Sequence, residues 1–231
     1  MKIFISGVSS GIGLALAKQY LALGAEVYGL SRRPCPDSRV KWQACDLADL
    51  NSIESILGEL CPNIEKFDLA ILNAGVLGTI QDLQDADMDE LRNIMDINLW
   101  ANKALIDYLC GTKETSQVIT LSSGAAVNGN RGWSGYSLSK AALNMMTSLY
   151  AKEFENTHFT AFAPGLVDTA MQDQLCSIEE VGDFSSLTRI QSARGTENMP
   201  TADELAVKLP KVFKELLNYQ SGSFVDIRKM N

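Results

Sequence analysis

The sequence predicts an α/β fold: one doubly wound sheet of seven mostly parallel strands, with helices on both faces. Three observations carry that expectation. A strand, a glycine-rich loop and a helix succeed one another within the first 24 residues. Short β-rich segments then alternate with periodic apolar stretches to the C-terminus. The distinctive polar and glycine motifs fall just after predicted strands, along the edge where a parallel sheet gathers its ligand-binding loops.

Lys2 to Ser6 reads as the first strand, and Gly7-Val8-Ser9-Ser10-Gly11-Ile12-Gly13 follows it directly. A helical run from Leu14 to Leu23 stops at Gly24. Glycines let backbone turn sharply and approach a pyrophosphate, whose charge is held by amides at a helix N-terminus. A structural turn needs one glycine, not three. The spacing is Gly-x-x-x-Gly-x-Gly, distinct from the more general Gly-x-Gly-x-x-Gly. The remaining strands are Glu26 to Leu30, Val40 to Cys45, Leu69 to Leu72, Gln117 to Leu121, His158 to Ala163 and Gly222 to Ile227. Helical patterns cover Ile53 to Leu60, Leu91 to Leu109, Ala141 to Phe154 and Leu205 to Leu217.

With 231 residues, 46% hydrophobic and 21% charged, the chain buries a sizeable core and reads as a single domain, 1–231. A formal net charge of −8 argues against a nucleic-acid partner, although a local basic pocket survives such an average. Cys35, Cys45, Cys61, Cys110 and Cys176 are odd in number and lack the close spacing of a zinc or redox pair, as expected for reduced cytoplasmic thiols. Met1-Lys2 leads straight into a strand without a signal segment, and no apolar run is long enough to span a bilayer. A soluble cytoplasmic protein without a membrane partner is expected. His158, the sole histidine, has no metal-ligating neighbour in sequence and is read as structural, so no metal site is expected.

Tyr136 and Lys140 stand four apart in Ser134-Gly135-Tyr136-Ser137-Leu138-Ser139-Lys140 and so share a helical face, where an ammonium can acidify a phenol. That pairing suggests proton transfer to a carbonyl oxygen. After the third strand, Asp46-Leu47 is placed to meet an adenine. After the fourth, Leu72-Asn73-Ala74-Gly75 is small enough to pack against adenosine. Leu121-Ser122-Ser123 offers a hydroxyl after the fifth. Pro164-Gly165-Leu166-Val167-Asp168-Thr169 makes a rigid bend after the sixth.

Together these motifs resemble the short-chain dehydrogenase/reductase family from Gly7 to about Asp226, which implies a Rossmann fold and a nicotinamide dinucleotide. The resemblance carries the family's glycine loop onto Gly7, Gly11 and Gly13, its Asn-Ala-Gly onto Asn73, Ala74 and Gly75, and its helix asparagine onto Asn98. Ser123 matches the active-site serine, being thirteen residues before Tyr136 as in family members, with Ser122 the alternative. Implied catalytic residues are therefore Asn98, Ser123, Tyr136 and Lys140. Implied cofactor contacts are Gly7, Ser9, Ser10, Gly11, Ile12, Gly13, Ser31, Arg32, Asp46, Leu47, Asn73, Ala74, Gly75, Tyr136, Lys140, Pro164, Gly165, Val167 and Thr169. The chain departs from the family pattern at Ser6, usually threonine, and at Leu72, usually asparagine. The second departure puts the tie between central strands in doubt.

The resemblance implies hydride transfer from the nicotinamide to a carbonyl carbon. Tyr136 gives the proton, Ser123 polarises the oxygen, Lys140 holds the ribose, and Asn98 organises a water through which Tyr136 is reprotonated. Arg32, nineteen residues after Gly13, stands where an NAD enzyme normally carries an acidic group, and a guanidinium suits a 2'-phosphate. NADP(H) is therefore expected over NAD(H), less strictly because Ser10 stands where many NADP-preferring relatives add a basic residue.

Gly132-Trp133, the run Ala163 to Gln172 and Ser221 to Asp226 are similar to sepiapterin reductases and bacterial benzil reductases. They implicate Trp133, Met171 and Asp226 in substrate binding, against the alternative of plain packing. The stretch 172–201 sits where the family has its substrate lid, unless it is merely a solvated loop. Helices over Leu91 to Leu109 and Ser137 to Phe154 match those through which family members pair, so a homodimer or homotetramer is expected. A small-molecule ketone or diketone reductase is the favoured reading. A reductase of acyl-thioesters or aliphatic ketones, and a non-catalytic NADP(H) sensor, are the rivals.

Overall fold

Alternation within each strand sorts the apolar residues onto the two faces of one sheet. In β1 (Lys2–Ser6), Ile3 and Ile5 enter one core layer while Phe4 enters the other. In β5 (Leu69–Leu72), Leu69 and Ile71 join the first layer, and Ala70 and Leu72 the second. Strands buried on both faces read as near-continuous hydrophobic runs, which is how these strands look in the sequence. The chain is seen here as a computed structural model describing residues 1–179 and 183–230.

The other strands are β2 (Glu26–Ser31), β3 (Lys41–Ala44), β4 (Lys66–Phe67), β6 (Glu114–Thr115), β7 (Gln117–Leu121), β8 (His158–Ala163) and β9 (Ser223–Asp226). Seven of them form the main sheet in the order β3-β2-β1-β5-β7-β8-β9. Every pairing in it is parallel, so the sheet is wholly parallel, beyond the expected majority. The β4–β6 pair forms a separate two-stranded sheet that periodicity does not reveal, because two-residue strands carry no period. Strand order reverses between β1 and β5, the place where an open α/β sheet leaves a crevice.

Helices α1 (Gly11–Ala22) and α8 (Ala202–Leu216) cover the first face, burying Leu16, Tyr20, Leu209 and Phe213. The second face is covered by α2 (Ile53–Leu60), α4 (Ala101–Ile106) and α5 (Ser134–Glu153), burying Ile53, Leu57, Leu105 and Tyr150.

The expected helix over Leu91 to Leu109 is present but not uniform. It begins as α3 (Met88–Met95), widens into a π segment at Asp96–Trp100, resumes as α4 and widens again over Asp107–Thr112. A π segment displaces backbone carbonyls from the regular ladder and is common beside functional sites. Here the Asn98 carbonyl accepts from Asn102 Nδ2 at 2.8 Å.

The expected lid region, 172–201, contains most of α6 (Ala170–Cys176) and all of α7 (Ser185–Ala193); its residues 180–182 lie outside the described residues. Leu175, Leu187, Ile190 and Met199 form a third apolar cluster with Leu77 and Trp133. Its described part is thus folded onto the body of the protein, not a solvated loop.

Candidate active site at the strand ends

The loop after β1 is shaped by its glycines. Gly7 and Gly11 hold φ at +82° and +56°, left-handed values that disfavour a side chain. Gly13 is required by proximity: a Cβ there would lie 2.2 Å from the Gly7 carbonyl oxygen and 2.6 Å from Asn73 Nδ2. The Ser6 hydroxyl accepts from the backbone N–H groups of Asn73 and Ala74 at 3.0 and 3.1 Å. Asn73 Nδ2 donates to the Ser6 carbonyl at 3.0 Å. These bonds tie β1 to β5 without the family's usual threonine and asparagine. Leu72 is buried in the core. The Ser6 hydroxyl thus supplies a tie between the central strands beside an apolar Leu72.

A cleft of about 1020 Å³ runs along the C-terminal strand edge. It is lined by the expected Gly7, Ser9, Ser10, Gly11, Ile12, Ser31, Arg32, Asp46, Leu47, Asn73, Ala74 and Gly75. Ser123, Trp133, Tyr136, Lys140, Pro164, Gly165, Val167, Thr169 and Met171 line it as well. Sequence-distant motifs therefore converge on one cavity. Gly13, Asn98 and Asp226 do not line it. Gly13 lies under the loop, and Asn98 is fully buried.

Asn98 Oδ1 accepts from the Val76 N–H at 2.8 Å, while Nδ2 donates to the Val76 carbonyl at 2.8 Å and to Ser139 Oγ at 3.0 Å. It thus pins the segment after Gly75 to the π segment and to α5. Gly75 is itself close-packed: a Cβ would stand 3.0 Å from Asn98 Oδ1 and 3.5 Å from Lys140 Nζ.

On α5, Lys140 is 4% exposed and its Nζ donates to the Leu121 carbonyl at 2.7 Å. The ammonium lies 5.8 Å from the centre of the Tyr136 ring. Burial pushes Lys140 down to about 8 and pushes the Tyr136 phenol above its ordinary value, with the nearby Ser123 hydroxyl opposing the rise. Desolvation dominates at both groups. Ser122 Oγ donates to Asn144 Oδ1 at 2.5 Å, whereas Ser123 Oγ accepts from the Ala125 N–H at 3.1 Å; both residues line the cleft.

At the β2 end, the Ser31 hydroxyl donates to the Arg33 carbonyl and accepts from Trp42 Nε1, both at 2.8 Å, fixing the turn that presents Arg32. Arg32 is exposed and makes no ion pair among the described residues. At the opposite end, Trp133 Nε1 donates to Ser186 Oγ on α7 at 2.7 Å, and its ring lies 6.1 Å from that of Tyr136. Met171 packs against the same cluster.

Asp226 departs from its expected position. Its side chain is 4% exposed and closed off by Arg228, and it is Arg228 that lines the cleft. Asp226 sits at the start of a short helical turn and accepts from the Arg228 N–H, a local bond that a carboxylate two residues ahead readily makes. Sequence reasoning missed Arg228 and Arg189, which both line the cleft. The Asp-x-Arg spacing was a usable signal for the first, whereas nothing in the sequence marks Arg189 as facing a cavity.

Among the described residues there is no group of three or more His, Cys, Asp and Glu able to hold a metal ion. No described helix is long and apolar enough to cross a membrane.

The chain matches the short chain dehydrogenase family over residues 1–179. It is 31% identical over 240 residues to the benzil reductase ((S)-benzoin forming) of Bacillus subtilis (strain 168), covering 97% of each chain. A benzil reductase ((S)-benzoin forming) of Saccharomyces cerevisiae is 28% identical over 229 residues, covering 90% of this chain and 86% of the relative. Among solved structures, a short-chain dehydrogenase/reductase from Saccharomyces cerevisiae superposes with a TM-score of 0.85 at 25% identity, over 97% of this chain and 95% of that one. With the wholly parallel sheet, the glycine loop and the Tyr136–Lys140 pair in one cleft, these matches make the chain a member of the short-chain dehydrogenase/reductase family, in its benzil reductase-like group.

Proposed function

We propose that this oxidoreductase is an NADPH-dependent reductase of small-molecule ketones or diketones. The observation that carries the reading is the convergence of Ser123, Tyr136 and Lys140 on the cleft that the Gly7 to Gly11 loop opens into. The residues fit a nicotinamide dinucleotide. Positive φ at Gly7 and Gly11 makes a cradle, and Ser10 precedes α1 without a side-chain bond capping it, which leaves the helix's first amides for a pyrophosphate. Asp46 and Leu47 would border the adenine, Asn73 to Gly75 the ribose side, and Pro164 to Thr169 the nicotinamide side. When bound, the reduced nicotinamide supplies the hydride.

The chain's own groups handle the proton. Tyr136 holds it on its phenolic oxygen and gives it to the carbonyl oxygen as charge develops there. An ordinary phenol is protonated at neutral pH and burial raises this one further, so Tyr136 has a proton to give in the reduction direction. Ser123 donates to the same oxygen. Lys140 would hold the nicotinamide ribose and, when charged, would stabilise the phenolate left behind. Asn98 orders the backbone beneath them. Arg32 selects the 2'-phosphate, because no other described group pairs with it and a guanidinium can bond phosphate in bidentate fashion.

Loss of NADPH absorbance, followed against a panel of diketones, pterins, quinones, aliphatic ketones and ketoacyl esters, tests the reading. Tyr136→Phe should lower turnover at least about a hundredfold, the usual contribution of a positioned acid, with nucleotide affinity nearly intact. Uniform inactivity of the wild type, or full turnover in the variant, overturns it.

A further inference from the structure

The wall of the cleft is unevenly charged. Asp46 is the sole carboxylate among the described residues that line it, and it follows β3 at the end given above to the adenine. Arg32 and Arg33 follow β2 beside it. The other lining arginines are Arg189, on α7, and Arg228, after β9 at the far edge of the sheet.

The charge of Arg228 is offset, because its Nε and Nη2 donate to the two oxygens of Asp226, whose side chain is 4% exposed. Arg189 is different. It is exposed and makes no ion pair among the described residues. A guanidinium that borders a cleft without a counter-charge attracts an anion, and its planar fork suits a carboxylate or phosphate in two-point fashion.

The helix that carries Arg189 is tied down at both ends. Before α7, Asp183 Oδ2 accepts from Arg131 Nη1 at 3.0 Å, and Arg131 Nη2 donates to Asp82 at 2.6 Å. After α7, Arg194 Nη2 lies 2.9 Å from Asp168 Oδ1 and also donates to Asp173. Between these anchors, Ser186 Oγ accepts from Trp133 Nε1 at 2.7 Å, and the Trp133 ring stands 6.1 Å from that of Tyr136. Leu187 and Ile190 are buried in the cluster against which Tyr136 packs. The arginines on either side are thus spent on carboxylates, whereas Arg189 is left over.

Ser186, Arg189, Ile190 and Ala193 recur at intervals of three or four and all line the cleft, so one face of α7 looks into it. Three residues along a helix separate Cβ atoms by about 5–6 Å, which roots Arg189 within one turn of the serine that touches Trp133.

We propose that Arg189 is a specificity-determining residue that binds an anionic group, carboxylate or phosphate, borne by the substrate apart from the carbonyl reduced at Tyr136. This inference rests on the carbonyl-reductase reading and names its substrate class.

Matched substrates test it. Levulinate and its three next longer chain analogues, each against its methyl ester, vary the separation of anion and ketone by one methylene at a time. Para-acetylphenyl phosphate against para-methoxyacetophenone supplies the phosphate case. In the best-fitting pair the wild type should favour the anion at least about tenfold in kcat/KM, the lower end of what one hydrogen bond to a charged group supplies, with the difference carried in KM. Arg189→Gln should bring that ratio to about one. Arg189→Glu should turn it below one, since a carboxylate there repels the anion. Both replace an exposed side chain without an ion pair among the described residues, a kind of change that folding tolerates.

A preference confined to the acids identifies the anion as carboxylate, and one confined to the phosphate pair identifies it as phosphate. No preference in any pair, or one that survives Arg189→Glu, overturns the proposal. So does weaker NADPH binding by Arg189→Gln with the ratios unchanged, which assigns the guanidinium to the dinucleotide. Where none of these compounds is reduced, titration calorimetry into NADP+-loaded protein decides: an anion bound at least about tenfold more tightly by the wild type than by Arg189→Gln upholds the site, and equal or absent binding overturns it. Inactivity toward the wider panel given above removes the reductase reading without touching that result.

Discussion

Replacing Lys140 by methionine should stabilise the folded chain at neutral pH, and the gain should fade as pH rises. Lys140 is 4% exposed, and burial lowers its ammonium from the usual 10.5 to about 8. At about 1.4 kcal/mol per pH unit, keeping that group protonated in the folded state at pH 7 costs about 3 kcal/mol. Methionine fills a similar volume without a charge, but it removes the bond from Nζ to the Leu121 carbonyl, worth about 1 kcal/mol. The net expectation is about 2 kcal/mol of added stability at pH 7, or about 4–8 °C in Tm for a chain of this size.

The sign with pH follows from proton binding. The folded pKa lies below the unfolded one, so between about 8 and 10.5 the unfolded chain binds the extra proton, and wild-type stability rises with pH through that window. Below about 8 both states hold the proton and the penalty is constant. The Lys140→Met advantage should therefore be steady to pH 8 and largely gone by pH 10. Cys45, Cys61 and Cys110, each raised by burial to about 11, titrate alike in both proteins and cancel in the difference. Urea unfolding of both proteins at pH 7, 8, 9 and 10 under reducing conditions measures it. Parallel stability curves across that range, or a variant less stable at pH 7, would refute the claim that desolvation dominates at Lys140.

Three further outcomes are expected. Gly13→Ala forces a methyl to within 2.2 Å of the Gly7 carbonyl oxygen and 2.6 Å of Asn73 Nδ2, so it should cost about 3 kcal/mol and lower Tm by about 6–12 °C; thermal unfolding within 2 °C of wild type would contradict it. Arg32→Asp should move the NADPH over NADH preference in kcat/KM toward NADH by at least about tenfold, and unchanged discrimination removes Arg32 from that role. Trp100, Leu138, Met145 and Leu149 leave large apolar surfaces exposed on the two helical stretches expected to pair. We predict a dimer, and light scattering that returns the single-chain mass of 25.2 kDa at micromolar concentration contradicts it.

Strand, loop and helix were legible because their physics is local. Alternating or continuous apolar runs mark strands, and a glycine is written into the chain wherever backbone must turn left-handed or pass within contact distance. The same holds for Tyr136 and Lys140, whose spacing of four places both on one helical face. The β4–β6 pair was invisible because two residues carry no period, and the widened turns at 96–100 and 107–112 were invisible because they depend on what packs around the helix. Asp226 shows the limit most directly. The sequence supplied a carboxylate at the right strand end, but a buried carboxylate demands a partner, and Arg228 took that place.

By itself the sequence determined the fold class, the glycine loop and the identities of the groups offered for catalysis, since each depends on spacing along one chain. The tertiary structure alone decided how the two serine hydroxyls are partnered, which charged group reaches the cleft and in which direction Tyr136 and Lys140 are perturbed. Those outcomes depend on desolvation and on contacts between segments far apart in the chain, quantities that exist only after the sheet and its helices have excluded water.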